Sequence, residues 1–426
     1  MRLMGVGVLL ASLFLIRPAH LGEAYNFFGA AIFFLISTLI LNRRTTEDFH
    51  RVFWQAIALF GLWAFLCVHA IYMGVTAPYP VYSFVVATLV ATGAIFSLAD
   101  RETHRRVLTG FIFVLVAFGA SALVTFVISL VVPLNALRIG HLTVPTYQTG
   151  DVYFPFTIEY GLKNYAWGTW PRAGGGWRES GIAQCLYAWA LLIVLANRSF
   201  PYRKLAIACL VIGCLAAQST IGFANLAFVI AVYALLFRRA NPVFYFAVVI
   251  LVIPLVAWLG YIAYFDTSIG FASKVDGESF ADRYNAVDRS LASLRENPFG
   301  FGVYGSLRVK EANSGINLIA SMASFGVIGA FLILLNWFAN QRFTSWRKLK
   351  IFACLPIYAT MLTSQPLLDA MAIFIILMLD PGVLRSQLEG KRPKVRRQPR
   401  QSAGFPGPES RSVAFGTQDS LFRGDI

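Results

Sequence analysis

Val107–Val132 reads VLTGFIFVLVAFGASALVTFVISLVV, 26 residues without one charged side chain. A helix needs about 20 mainly apolar residues to cross a bilayer, so this stretch is long enough to span. The basic run RETHRR at 101–106 precedes it and Pro133 follows it. Three other stretches are as clear: Val52–Met73, Val243–Tyr264 and Gly315–Phe338. Shorter ones are Leu3–Ile16, Phe27–Leu41, Val81–Ala99, Gly181–Ala196, Leu205–Ser219, Ile221–Phe237, Ile351–Leu362 and Leu367–Leu379. The expectation is an all-α polytopic transmembrane bundle of about 12 spans, with the splits near Ser219 and Ser364 least marked.

Composition agrees. Of 426 residues 57% are hydrophobic and only 13% charged, with mean hydropathy +0.64. A soluble domain carries about 25% charged residues, and a disordered chain needs low hydrophobicity. A cytosolic enzyme and a disordered protein are both excluded. Met1–His20 has no small-residue cleavage pattern before Arg17-Pro18, so it reads as an uncleaved first span rather than a signal peptide.

The net charge of +15 follows the loops. Loops 42–51, 100–106, 197–204, 238–241 and 339–350 hold 15 Lys and Arg, whereas the alternate short loops hold only Arg17. Basic loops stay in the cytoplasm, so both termini face inward and the long loops 134–180 and 265–314 face outward. With the tail 385–426, the cytoplasmic segments carry a net +16 and the outward ones zero. The basic excess is thus a topology signal. The tail, with KRPKVRRQPR at 391–400, reads as a disordered basic segment suited to anionic lipid headgroups rather than nucleic acid. All five cysteines fall within proposed spans, leaving no disulfide framework or zinc spacing. No internal repeat is evident, which weakens a transporter built from duplicated halves.

The first long loop ends WPRAGGGWRESG at 170–181 and enters the sixth span. Arg172, Arg178, the glycines from Gly174 and a helix N-terminus together suit an anion such as a diphosphate. The alternative is an interfacial Trp/Arg anchor with Glu179 near the helix dipole. In the second loop Ser279 and Asp282 suggest a helix cap, and Asn297-Pro298 a stop. Phe280, Tyr284, Val287, Leu291 and Leu294 form the expected apolar stripe, with Arg283 flanking it and Arg289 opposite. Arg283 suits either an ion pair or a site. Gly300 and Gly302 would let backbone approach a ligand.

In order, Tyr153-Phe154-Pro155-Phe156, Arg172…Gly174…Arg178-Glu179-Ser180-Gly181, Ser219-Thr220-Ile221-Gly222, Lys274…Ser279…Arg283, Asn297…Gly300…Gly302 and Asn317…Phe325-Gly326…Gly329 make a series. This series resembles the O-antigen polymerase and ligase superfamily, with Ser180 where proline is commoner. The resemblance implies an integral enzyme of the bacterial inner membrane joining undecaprenyl-diphosphate-linked oligosaccharide repeat units at the outer face. It implies catalytic Arg178, Arg283 and Glu179, and substrate-binding Arg172, Gly174, Asn297, Gly300, Gly302 and Asn317. No cofactor or metal is expected. The implied partners are the lipid-linked glycan, membrane lipids, a chain-length regulator and a flippase. The ligase branch has a histidine before its asparagine; here Ile316 precedes Asn317, which favours a polymerase over a ligase or cell-wall glycosyltransferase. A 12-span transporter is the alternative from another class. Arg178 next to Glu179 weakens the latter as a base, leaving Asp282 and Glu311 open, and Asp369 is an intramembrane carboxylate with either a direct role or a cation partner.

Overall fold

The computed structural model describes residues 2–40, 49–76, 78–143, 150–165, 168–237, 278–304, 317–342, 346–363 and 368–384. All of these belong to one compact unit, Met1–Ser386. The span expected at 243–264, the ends of loop 265–314 beyond 278–304, and the tail 385–426 lie outside the described residues. So do the side chain of Arg283 and all of Glu311.

Eight helices come first: α1 Arg2–Leu13, α2 Gly22–Ile40, α3 Phe49–Tyr72, α4 Pro78–Leu98, α5 Arg101–Ser129, α6 Ser180–Ala196, α7 Arg203–Ala216 and α8 Thr220–Val232, the last continuing in a π turn to Phe237. After them stand α9 Glu278–Glu296, α10 Met322–Arg342, α11 Arg347–Thr363 and α12 Met371–Met378. Five helices are long and apolar enough to cross a membrane: α2, α3, α4, α5 and the Met322–Ala339 part of α10. The protein is therefore a helical membrane protein by composition and helix length. Several other expected spans hold shorter helices. α1 stops at Leu13 and hands over to a turn, and α12 has 8 residues where Leu367–Leu379 was expected.

The architecture is not all-α. Between α5 and α6 the first long loop folds into a four-stranded antiparallel sheet in the order β1-β2-β3-β4, with β1 Arg138–Leu142, β2 Gly150–Tyr153, β3 Thr157–Tyr165 and β4 Gly168–Ala173. Its alternation is interrupted by Gly and Pro and weaker than the apolar runs, which hid it from a hydropathy reading. The sheet is bolted to α5: the Ser121 and Thr125 hydroxyls lie 2.8 and 2.7 Å from that of Thr157.

α6 and α12 are the axis of the bundle. Ser180–Val194 of α6 and Met371–Met378 of α12 are buried on every face. A helix apolar all round belongs inside, and α6 accordingly packs against α7, α8 and α11. At the end away from the loops, Arg51 of α3 pairs with Asp380, and the Asp380 N–H donates to His104 Nε2 of α5 at 2.9 Å.

α9 spans the expected segment but faces differently. Its buried side is Ala286 and Ser290, while Tyr284 and Leu291 are exposed. Ser290 Oγ accepts from Ala323 N–H at 3.1 Å, so the helix lies close to the start of α10. That approach needs small residues, and Tyr284 and Leu291 turn outward. α9 begins at Glu278, placing Ser279 inside the first turn rather than at the cap.

Candidate functional site at the loop end of the bundle

The turn between α1 and α2 brings the charges together. Arg17 Nη1 lies 2.7 Å from Asp369 Oδ2, and its Nη2 lies 3.1 Å from Glu23 Oε2. Arg178 Nη1 lies 3.0 Å from the other oxygen, Glu23 Oε1. Glu23, only 4% exposed, therefore bridges two guanidiniums, and Arg17 bridges two carboxylates. Backbone bonds hold the pieces in place. Arg178 N–H donates to Pro18 O at 3.0 Å, His20 N–H to Gly176 O at 2.9 Å, and Ala372 N–H to Arg17 O at 3.0 Å. Segment 17–20 is thus an adapter between the first long loop and the central α12.

The second long loop enters through Tyr304. Its hydroxyl lies 2.6 Å from Ser83 Oγ at the start of α4, and it stands within electrostatic range of Arg17 and Asp369. Burial, and then Asp369, raise the Tyr304 phenol above its ordinary range, so it stays a neutral hydrogen-bonding group. Burial alone would lower Arg17, but Asp369 and Glu23 outweigh it and hold the guanidinium charged.

Arg172 does not join that quartet. Its Nη2 donates to Ser180 Oγ at 2.8 Å, at the N-terminus of α6. A proline at 180 would offer no such acceptor. Glu179 is the N-cap residue of α6, and its backbone carbonyl accepts from Ala183 N–H at 3.1 Å while its side chain makes no capping bond. Gly174 donates to Ile158 O at 2.8 Å, anchoring the glycine run to β3. Gly175 and Gly176 leave room for protein: a Cβ on Gly176 would sit 2.7 Å from the Phe14 ring. Trp177 is wholly buried, its ring 5.2 Å from that of Phe14, so it is a core residue and not an interfacial anchor.

The Asn297–Gly302 turn also closes on the chain itself. Asn297 Nδ2 donates to Gly300 O at 3.0 Å, Phe301 N–H to Ala323 O at 2.9 Å and Val327 N–H to Pro298 O at 3.0 Å. Gly300 (φ +80°) abuts the backbone of Ser324 and Gly326, and Gly302 (φ +86°) abuts Ala70 of α3. The close approach permitted by these glycines is to the chain's own backbone. Asn317 is buried, and its Oδ1 accepts from Ala320 N–H at 2.8 Å, closing the turn that precedes α10. Arg283 lies in the first turns of α9, where helical spacing puts position 283 on the face of Ala286 and Ser290.

The structure thus brings Arg178 together with Arg17, Glu23, Asp369 and Tyr304, of which sequence reasoning had raised only Arg178 and Asp369 as candidates. Arg17 carried a signal: it is the single basic residue of the alternate short loops. Glu23 and Tyr304 carried none. Among the described residues no group of three or more His, Cys, Asp or Glu is placed to hold a metal ion. Comparison with protein-family models, curated proteins and solved structures finds no match to this chain.

Proposed function

We propose that this protein is an integral-membrane polysaccharide polymerase, transferring a growing glycan from a polyprenyl diphosphate to a hydroxyl of another lipid-linked repeat unit. The observation that carries the reading is the Arg17–Glu23–Arg178–Asp369 quartet, flanked by Tyr304, where both long loops meet the helix ends. In such a transfer negative charge grows on the departing diphosphate. Fixed cations that meet that charge in the transition state lower the barrier, and their preorganisation removes the cost of orienting them during reaction. Glu23, shared by both, supplies that orientation for Arg17 and Arg178, and Asp369 adds to it for Arg17. Arg172 adds a third cation beside the N-terminus of α6, where helix amides also favour an anion. On this reading the loop end faces outward, the termini face the cytoplasm, and the enzyme sits in the bacterial inner membrane. The resemblance of the second loop adds Arg283 as a further cation of the donor site.

The test is the lipid-linked pool and polymer of a strain lacking the protein, complemented by variants. Single repeat units accumulating on the outer face, with loss of long chains, support the polymerase. Accumulation on the cytoplasmic face would mark a transporter, and loss of transfer to a second acceptor with chain length intact would mark a ligase. Arg178→Ala and Arg283→Ala each abolish chain extension at normal membrane abundance. Full-length polymer from both would overturn the proposal.

A further inference from the structure

The quartet holds charge but no obvious base for the acceptor hydroxyl, since both of its carboxylates are committed to guanidiniums. The sheet carries another group of titratable residues. His141 of β1 and Asp151 of β2 are cross-strand partners, and His141 Nδ1 lies 2.7 Å from Asp151 Oδ1. An ionised carboxylate only accepts hydrogen bonds. Arg138 Nη2 also lies 3.2 Å from Nδ1, but the contact with the carboxylate is the shorter one. On that contact Nδ1 carries the hydrogen in the neutral ring, and the basic nitrogen is Nε2. The side chain is 42% exposed, so the ring is within reach of a large, polar substrate.

Neighbours hold the pair in place. Arg138 Nη2 lies 2.9 Å from the same Asp151 oxygen and fixes its position. Glu159 of β3 stands across from Asp151 on continuing the β2–β3 register. Gly161 N–H donates to its Oε1 at 2.7 Å, and Tyr153 bonds the same carboxyl. Buried at 7% exposure, Glu159 is screened from substrate, which leaves His141 as the accessible base of the group. The hairpin is carried to the quartet through Gly150, next to Asp151. A Cβ at Gly150 would lie 3.4 Å from the His20 ring, and His20 is two residues from Pro18, the carbonyl that holds Arg178.

We infer that His141, oriented by Asp151, is the base that takes the proton of the acceptor sugar hydroxyl; this rests on the polymerase reading. The acceptor oxygen bonds to the anomeric carbon of the donor. The bond from that carbon to the diphosphate oxygen breaks, and its electron pair leaves on the diphosphate. The hydroxyl proton passes to His141 Nε2 and from there to water.

The test uses the full chain in liposomes with lipid-linked oligosaccharide extracted from a strain lacking the protein, read as a polymer ladder. His141→Asn lowers the rate about 100-fold or more, the scale of a lost general base, and removes the fall in rate at acid pH. His141→Gln gives the same profile, Asp151→Asn a smaller loss, and added imidazole restores His141→Gly. A cross-strand contact of purely structural importance would show neither the lost acid limb nor the rescue. If wild type extends chains while His141→Asn and His141→Gln stay within about threefold of it with an unchanged pH profile, the base assignment is overturned. If wild type extends nothing, the polymerase reading itself fails.

Discussion

At the scale of single residues, Glu23 has the largest consequence for stability. Its side chain is nearly fully buried and shared by Arg17 and Arg178, so Glu23→Ala removes a counter-charge from two guanidiniums at once, while Arg17 keeps Asp369. Removing one partner of a buried ion pair costs about 3–5 kcal/mol. Glu23→Ala is expected to cost on that order, seen as a lowered thermal midpoint in detergent. Asp369, 25% exposed and ion-paired among the described residues with Arg17, loses less on Asp369→Asn. An equal loss in both variants would show that the bridging geometry is unimportant. Glu159 gives a pH-dependent counterpart. Burial, assisted by Asp151, raises its carboxyl above the ordinary range against the bonds from Tyr153 and Gly161. A raised folded value means that the stability contribution is full below the unfolded carboxyl range and is lost as pH rises through the folded value. Glu159→Gln is therefore expected to raise the thermal midpoint at neutral and alkaline pH and leave it unchanged in acid. A pH-independent effect would contradict the cause given.

Among elements, the Asn297–Gly302 turn and the kinked start of α10 form one unit. Gly326 breaks the helix with φ +66° and ψ −175°, and a Cβ there would collide with the Phe299 carbonyl. Gly326→Ala combines that collision with a backbone cost of about 1–3 kcal/mol for a conformation that only glycine adopts readily. The turn is then driven off α10, taking Tyr304 away from Arg17 and Asp369. The expected result is lost chain extension and easier proteolysis within 297–304, whereas Gly61→Ala, which meets open space on α3, changes neither. This unit was half legible. The glycines and Asn297-Pro298 marked a turn, but nothing in a linear pattern distinguishes a glycine that admits a ligand from one that admits neighbouring backbone. α9 makes the same point. Its period was readable, yet the partner at Ser290 is a backbone amide of α10, and no large-residue stripe announces such a contact. The sheet was less legible still, because its strands are short and its hydroxyl contacts to α5 lie more than 30 residues away in sequence.

For the whole molecule, α12 and the residues just beyond it tie the two ends of the bundle together. Its N-terminal side is held by Asp369 to Arg17, and its C-terminal side by Asp380 to Arg51. The apolar runs made the membrane bundle readable, and the loop bias suggested which ends belong together. The two ion pairs join residues more than 300 positions apart, and hydropathy is blind to such partners. The far-end pair gives a prediction with a built-in asymmetry. Lys350 of α11 is 1% exposed, its Nζ has no hydrogen-bond partner among the described residues, and it lies within electrostatic range of Asp380. Asp380 therefore stands against two cations. Arg51→Met removes one and leaves the carboxylate with Lys350, while Asp380→Asn leaves Arg51 and Lys350 without their shared counter-charge. Asp380→Asn should be the more damaging by at least about 0.5 kcal/mol, the lower end of coupling within one charge network. Adding Lys350→Met to Asp380→Asn should recover part of the loss, because one uncompensated buried charge is removed. Thermal midpoints of the three single variants and this double variant, in one detergent, decide it. Equal losses for Arg51→Met and Asp380→Asn, with no recovery in the double variant, would mean that Lys350 takes no part in holding α12 to the far end.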